Sequence, residues 1–333
     1  MDTVQRFRRS GLLAILVAGV FAAAAGSWSC SEKTSPITIG TTTSEVNSLI
    51  HIAQDMGYFN ANGLDVTIQV YASGNAAIQG ILNGEADMAT ASEFAFAGKV
   101  LSKEDIRIIG VINRSSVEYL VARKDRGINA ISDLKGKRIG VPMRSRPEFA
   151  LGRLLFLRGI DVSDVTMANV SPAQAVNAIV NGEVDAVSIW QPYVYRIQDR
   201  LADEVIVWSA QNAQASYNGV VATDKWTAEH PDLIRRVLKS LIQAETYNAS
   251  NPEEARAIIR QKLDYSEEYM AAVWPDYQFS VSLDQSLVAA MEDEARWMMS
   301  NSLTAEKQVP NFPDYIYDEG LKAIRPGSVG IIR

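Results

Sequence analysis

The sequence has few of the residues from which metal centres and nucleophilic active sites are built. Its 333 residues include one cysteine, Cys30, and two histidines, His51 and His230. No Cys/His spacing typical of a metal site, no G-x-S-x-G motif and no P-loop occurs. His51 falls inside a predicted helix and His230 precedes a predicted helix start, so neither is assigned to catalysis. The sequence therefore predicts no metal, no cofactor and no enzymatic activity.

Basic runs and late apolar runs are also missing. The formal net charge is −7, and no Lys/Arg-rich segment is present, which argues against a nucleic-acid partner. After residue 26, no apolar stretch is long enough to cross a bilayer. The mature chain is therefore expected to be exported and either soluble or tethered at one end.

The N-terminal segment is typical of an export signal. Arg6, Arg8 and Arg9 precede an uncharged apolar run over residues 11–26, which is a positive region followed by a short hydrophobic region. Residues 1–29 are predicted to be a signal peptide. Residues 30–36 are predicted to be a short tether that precedes the folded part.

Cys30 lies where such a signal is cut. The stretch Ser27-Trp28-Ser29-Cys30 resembles a bacterial lipobox, in which the cysteine receives lipid; the small Ser29 fits, whereas that pattern prefers Leu at the position of Ser27. Ordinary cleavage near residues 23–25 is the alternative. The favoured interpretation is lipidation of Cys30, because a free exported thiol at this position has no other evident use.

The remainder of the chain alternates strands with helices, as residues 133–148 illustrate. Arg138 to Val141 is a short apolar strand, and Pro142 ends it. Polar and basic residues follow, and Pro147 stands where a first helical residue is expected. A strand that leads into a helix through such a loop leaves backbone N–H groups free, which suits an anionic or polar ligand. Taken alone, an ordinary connection with two solvated arginines is the simpler interpretation.

Two halves of the chain follow the same plan. Residues 81–87 (I-L-N-G-E-A-D) match residues 179–185 (I-V-N-G-E-V-D) at an offset of 98, and Ile39-Gly40 matches Ile139-Gly140 at an offset of 100. Each N-G-E-x-D segment by itself is explained as a helix end with surface acids. The repetition predicts two similar α/β lobes.

Ligands of α/β sheets bind beyond the carboxyl ends of the strands, and polar residues follow the predicted strands of both halves. The first half offers Thr41, Thr42, Thr43, Gly74, Asn75, Ser92 and Glu93 there. The second half offers Arg144, Ser145, Arg146, Trp190 and Gln191, and Tyr217 at the start of a later strand is added to this set. Two lobes that present these loops to each other would enclose a small polar molecule.

Four stretches in order resemble the periplasmic solute-binding proteins of the nitrate, sulfonate and taurine uptake class, which serve ABC transporters. They are residues 53–66 (A-Q-D-M-G-Y-F-N-A-N-G-L-D-V), the N-G-E-A-D segment, D-L-K-G-K-R-I-G-V-P, and V-D-A-V-S-I-W-Q-P-Y over residues 184–193. The resemblance covers roughly residues 37–263.

This resemblance implies a two-lobed α/β periplasmic binding protein fold, type II-like, hinged by two crossing strands. The crossings would lie near residues 121–122 and 220–221. Lobe 1 would comprise residues 37–121 and 222–333, and lobe 2 would comprise residues 122–221. The strand-end residues above would correspond to the ligand loops of the family. This chain departs from the family at Gln191, where Asp is frequent, and at residues 144–146, where small residues are usual.

The implied function is an extracytoplasmic solute-binding protein that captures an anionic or amphoteric organic solute and delivers it to an ABC transporter permease and its ATPase. Arg144 and Arg146 would favour an anionic end, Glu93 would pair with an amine, and Trp190 would support the ligand body. The chain is expected to be a monomer that meets the membrane only through a lipid on Cys30. The alternatives are an enzyme on the same fold, related to pyrimidine-precursor synthesis, and an extracytoplasmic sensor subunit.

Overall fold

The structure, a computed structural model, describes residues 34–211 and 214–333. The predicted signal peptide and Cys30 lie outside these residues. Within the described part of the chain, no helix has both the length and the apolar composition of a membrane span.

The described residues form twelve strands, which alternate with helices along most of the chain. They are β1 (Ser35–Thr41), β2 (Leu64–Val70), β3 (Met88–Ser92), β4 (Ile106–Ser115), β5 (Glu118–Arg123), β6 (Arg138–Val141), β7 (Thr166–Asn169), β8 (Ala186–Trp190), β9 (Val205–Ser209), β10 (Ser216–Thr223), β11 (Tyr277–Asp284) and β12 (Val329–Gly330).

The same residues form thirteen α-helices, of which the last six lie in the C-terminal third. They are α1 (Ser48–Asp55), α2 (Tyr58–Ala61), α3 (Gly74–Leu82), α4 (Glu93–Leu101), α5 (Arg146–Leu157), α6 (Pro172–Val180), α7 (Tyr193–Leu201), α8 (Asp224–Glu229), α9 (Pro231–Ser250), α10 (Pro252–Leu263), α11 (Glu267–Val273), α12 (Gln285–Ser300) and α13 (Glu319–Ile324). A 3₁₀ turn, Glu45–Asn47, leads into α1.

The strands make two sheets that share one plan. The larger sheet has the order β12-β11-β4-β10-β3-β1-β2, and the smaller has the order β7-β6-β8-β5-β9. In the larger sheet β1 is parallel to β2 and β3, and β10 runs antiparallel between β3 and β4. In the smaller sheet β6 is parallel to β7 and β8, and β5 runs antiparallel between β8 and β9. Each sheet is therefore the centre of one lobe, as the internal repeat predicted.

The acids of the repeated N-G-E-x-D segments make equivalent hydrogen bonds in both lobes. Asp87 Oδ2 accepts the backbone N–H of Thr38 in β1 at 2.7 Å, and Asp185 Oδ2 accepts that of Arg138 in β6 at 2.9 Å. Gly84 and Gly182 have φ of 75° and 74°, a left-handed conformation that glycine adopts without strain. The two acids are therefore not merely surface residues, because each ties the turn after a helix to the neighbouring parallel strand.

The chain passes between the lobes after β4 and after β9. The first passage is at residues 116–117, between β4 and β5, and the second lies between Ser209 at the end of β9 and Ser216 at the start of β10. The predicted crossing positions, residues 121–122 and 220–221, instead lie in the middle of β5 and β10. Those apolar pairs are completely buried within a single sheet, so the passages fall about five residues earlier, where the apolar runs have not begun.

Candidate functional site

A cavity of about 600 Å³ lies between the carboxyl ends of the parallel strands of the two sheets. The larger sheet contributes loops after β1, β2 and β3, and the smaller sheet contributes loops after β6 and β8. This is where ligands of parallel α/β sheets bind. Its volume is in the range of small-molecule sites, which is roughly 300–1,000 Å³.

Four helices begin at this cavity. Their N-terminal residues, which line it, are Ser73 and Gly74 of α3, Ser92 of α4, Ser145 and Arg146 of α5, and Pro192 and Tyr193 of α7. The first N–H groups of a helix have no partner inside the helix, and the helix dipole makes this end positive. The cavity therefore presents convergent backbone donors from both lobes, which suits an anion.

Glycine is required at the start of α3 because the backbone there lies against β3. A Cβ added at Gly74 would stand 3.0 Å from the Cα of Ala91. Ser73 caps the helix by accepting the N–H of Ala76 at 3.2 Å. Close packing of this turn on β3 places the N–H groups of α3 at the cavity.

The structure brings nine of the thirteen residues predicted as ligand contacts to the cavity wall. They are Thr42, Thr43, Gly74, Asn75, Ser92, Ser145, Arg146, Trp190 and Tyr217. Because these residues come from both lobes, a solute in the cavity would contact both sheets. Their contact with a ligand stays a prediction.

Four predicted residues do not line the cavity and have other roles. Thr41 is buried, and its hydroxyl accepts from Thr90 Oγ1 at 2.9 Å. Arg144 is exposed, has φ of 57°, and donates its backbone N–H to Glu148. Gln191 is buried, and its Oε1 accepts the N–H of Tyr195 at 3.1 Å, which holds the start of α7. The fourth, Glu93, is buried beneath the cavity.

Arg146 lies in a buried cluster with three carboxyl groups from both lobes. Its Nη1 is 2.7 Å from Glu93 Oε1 and donates to Glu294 of α12, and its Nε is 3.3 Å from Glu118 Oε1. Its Nη2 donates to the backbone carbonyls of Gln214 and Ala215 at 3.2 and 3.1 Å. Its charge is thus already compensated, so the expectations that Arg146 binds the anionic end of a ligand and that Glu93 binds an amine do not fit this geometry.

Burial sets the protonation of these carboxyl groups. Desolvation raises the pKa of Glu93 and of Glu118, while the charge of Arg146 opposes both shifts. Desolvation, followed by the charge of Glu93, raises the pKa of Glu294 well above its usual range. One guanidinium does not neutralise three carboxylates, so the cluster retains protons at neutral pH.

The sequence reasoning missed a second arginine and several aromatic residues in the cavity wall. Arg196 of α7 lines the cavity, and its guanidinium carbon is 5.8 Å from the centre of the Tyr193 ring. Tyr71 and Tyr265 line it from the other lobe. Tyr193 and Arg196 come soon after the W-Q-P turn and are spaced as on one face of a helix. This pattern could have indicated that both residues line the cavity. Tyr265 lies in a helix-to-helix loop, and no such pattern indicates it.

The lobes also meet beyond the Arg146 cluster. Tyr119 of β5 donates its hydroxyl to Asp276 of the other lobe at 2.6 Å, and the rings of Tyr195 and Tyr269 are in edge contact at 5.0 Å. Tyr269 donates to the buried carboxyl of Glu45. Desolvation raises the pKa of Glu45 to about 7, while hydrogen bonds to its own backbone and to Ser44, and the charge of Arg196, oppose the shift.

Comparison with protein families gives one match that spans more than half of the chain. The model of the family described as NMT1/THI5 like matches residues 47–255. A protein of Brucella abortus (strain 2308) that is named as a binding protein is 25% identical over 211 residues, which is 62% of this chain and 65% of that protein. The chain thus spans slightly less than two thirds of the length of that relative.

Two other relatives are named for their solutes. A protein of Bacillus subtilis (strain 168) named for binding aliphatic sulfonates is 24% identical over 250 residues, 73% of this chain and 75% of its own. The taurine-binding periplasmic protein of Escherichia coli (strain K12) is 25% identical over 206 residues, 60% of this chain and 62% of its own.

Solved structures share the fold. The alkanesulfonate-binding protein SsuA of Xanthomonas axonopodis pv. citri, bound to MOPS, superposes with a TM-score of 0.74 at 17% identity and covers 86% of this chain and 99% of that one. The desulfurization enzyme DSZB superposes with a TM-score of 0.64 at 16% identity and covers 87% and 98%. The two-lobed binding-protein fold predicted from the sequence is confirmed.

Proposed function

This chain belongs to the NMT1/THI5-like family, and from that premise we propose that it is an extracytoplasmic solute-binding protein for organic anions of the sulfonate class. The observation that carries the proposal is the cavity between the lobes, at which four helices begin. A sulfonate has three acceptor oxygens and one charge, which match convergent N–H donors and positive helix ends. Relatives named for sulfonates and taurine support this choice of solute.

We further propose that the bound solute is delivered to an ABC transporter permease with its ATPase, and that the protein acts as a monomer. A hinged protein closes when its solute contacts both lobes, and the closed form is the one a permease would recognise. Residues 116–117, which join β4 to β5, form a short passage between the lobes that can act as part of the hinge. A nitrate-sized solute is disfavoured, because it would occupy little of a cavity of about 600 Å³.

The residues at the cavity favour binding over catalysis. The described residues that line it include no histidine and no cysteine. His51 is buried away from the cavity, where desolvation lowers its pKa to about 4. Among the described residues there is also no cluster of His, Cys, Asp and Glu that would hold a metal ion. The likeness to DSZB concerns the fold, and the described residues that line the cavity hold no histidine that could act as the base of a nucleophile.

The first prediction concerns binding itself. Isothermal titration of the protein with ethanesulfonate, taurine, benzenesulfonate and nitrate should give 1:1 binding of at least one sulfonate. Trp190→Ala should weaken that binding by roughly ten- to a hundredfold, because it removes an apolar wall from a closed cleft. Phe156→Ala is the control, since that ring is 80% exposed on α5. Small-angle scattering should show a smaller radius of gyration with ligand. Absence of binding by every sulfonate would refute the proposed function.

The second prediction concerns the anchor. We propose that Cys30 is lipidated, so that the mature protein fractionates with membranes, and Cys30→Ala should move it to the soluble fraction. Ser29→Leu, which replaces the small residue before the cut, should slow processing without removing the thiol. If wild type and Cys30→Ala are both soluble after processing, the lipid anchor is wrong, and the signal is cut upstream.

A further inference from the structure

Among the described residues, two guanidinium groups line the cavity, and only that of Arg146 is paired with carboxylates. Arg146 is surrounded by Glu93, Glu118 and Glu294. Arg196 forms no ion pair with any carboxylate of the described part of the chain, and its side chain is exposed at the cavity. Its contact there is the face of Tyr193, at 5.8 Å. A cation held against an aromatic ring, with its charge unpaired, is a recognition element for an anion.

The charge of Arg196 acts on the buried carboxyl group of Glu45, and burial favours the neutral form of that carboxyl. Glu45 is completely buried, it accepts hydrogen bonds from Tyr269 and Ser44, and desolvation raises its pKa to about 7. Below that pH it is uncharged. Tyr265 is the other ionisable group coupled to both Glu45 and Arg196, and as a neutral phenol it is a hydrogen-bond donor. The region around Arg196 is therefore positive and carries a donor.

Aromatic side chains line the same cavity. Six of the thirty lining residues are aromatic, against 8% in the whole chain. Trp190 and Tyr193 on one lobe meet at 88° with their ring centres 5.9 Å apart, and Tyr71 and Tyr265 face the cavity from the other lobe. Two rings at right angles form a corner in which a planar ligand ring stacks on one and meets the edge of the other.

The size of the cavity also favours a ligand with a ring system. A volume of about 600 Å³ equals that of about 20 water molecules in the liquid. A two-carbon sulfonate would leave most of this space to water and most of the aromatic wall uncovered. A ring system would cover the wall and release water, with a gain of about 25 cal/mol for each Å² of apolar surface buried.

Resting on the proposed binding function, we propose that the ligand is an aromatic sulfonate or similar planar organic anion, and that Arg196 is the residue that selects its charge. The ring lies against Trp190 and Tyr193, and the anionic group bonds to Arg196 with the Tyr265 hydroxyl beside it. Arg144 and Arg146, the arginines singled out in the sequence, have no part in this recognition.

Titration calorimetry tests separately how the aromatic ring and the negative charge of the ligand affect its affinity. The probes are benzenesulfonate, 2-naphthalenesulfonate, the uncharged benzenesulfonamide, ethanesulfonate and taurine. Wild type should bind the aromatic sulfonates at least tenfold more tightly than the alkyl ones, and benzenesulfonate at least tenfold more tightly than benzenesulfonamide. Arg196→Gln should abolish the preference for benzenesulfonate over benzenesulfonamide. Far-UV circular dichroism checks that Arg196→Gln is folded, because only a ratio kept by a folded variant counts against the inference.

Matched variants make the outcome specific to Arg196. Arg200 lies one turn further along α7, is exposed and donates to Asn177 at 2.8 Å, so Arg200→Gln removes the same charge outside the cavity. It should leave the sulfonate-to-sulfonamide ratio intact, as should Arg144→Gln. If ethanesulfonate or taurine binds best, or if Arg196→Gln keeps the ratio, the inference is wrong while the sulfonate-binding function stands. If no sulfonate binds, the proposed function fails, and the inference fails with it.

Discussion

Replacing Arg146 by Met is expected to lower the free energy of unfolding by about 3–5 kcal/mol, the usual cost of removing one partner from a buried ion pair. The side chain is 5% exposed and faces Glu93, Glu118 and Glu294. Without the guanidinium, every carboxyl group of the cluster must be neutral or remain as an uncompensated buried charge. Met keeps an unbranched apolar stem and has no charge, so the unpaired carboxyl groups account for most of the effect.

Urea unfolding at pH 7 measures this change, and the same helix provides the control. Arg153 of α5 also pairs across the lobes, with Asp293 of α12, but both side chains are partly exposed. Arg153→Met should therefore cost at most about 1 kcal/mol. Glu294→Gln should have a smaller effect than Arg146→Met, because burial raises the pKa of that carboxyl and one guanidinium does not neutralise all three acids of the cluster. Equal losses for Arg146→Met and Arg153→Met would contradict the central role of the cluster.

The fold could be predicted from the sequence because the patterns that indicate it are local or repeated. The N-G-E-x-D segments end helices α3 and α6, and their acids anchor β1 and β6, so the duplicated pattern reports a duplicated structure. Pro147 and Pro192 mark the starts of α5 and α7 for the same local reason. The positions at which the chain passes between lobes were less accessible. The apolar centres of β5 and β10 look alike whether a strand stays in one sheet or bridges two.

The candidate site was accessible only where it consists of strand-end loops. Thr42, Ser92, Ser145 and Trp190 lie at or just after the ends of parallel strands, and topology alone brings them to the carboxyl edges of the two sheets. The partners of Arg146 come from residues 93, 118 and 294, and no local pattern connects α5 to α12. A basic residue in a loop looks the same in sequence whether it faces a ligand or three buried acids. Tyr265 was missed for the same reason, since tertiary packing alone places it at the cavity.

Glu45→Gln is expected to change the pH dependence of stability. The pKa of Glu45 is raised from 4.5 to about 7 in the folded protein, chiefly by burial. Between these values the unfolded chain loses its proton while the folded protein keeps it. The stabilisation is therefore fully present below pH 4.5 and is lost as the pH rises to about 7, and it amounts to about 3 kcal/mol. Gln has no such proton, and its amide oxygen can still accept from Tyr269.

The free energy of unfolding should be measured by urea for both proteins from pH 4.5 to 7.5, and the difference between them is the quantity to follow. At pH 4.5 both side chains are neutral, so the two proteins should have similar stability. By pH 7.5 the variant should be more stable than wild type by up to about 3 kcal/mol. His51, whose lowered pKa of about 4 makes the fold less stable as the pH falls below 6.5, acts equally in both proteins and cancels. A difference that stays constant across this range would mean that Glu45 is ionised in the fold. Arg196 would then share its charge with Glu45 instead of keeping it for a ligand.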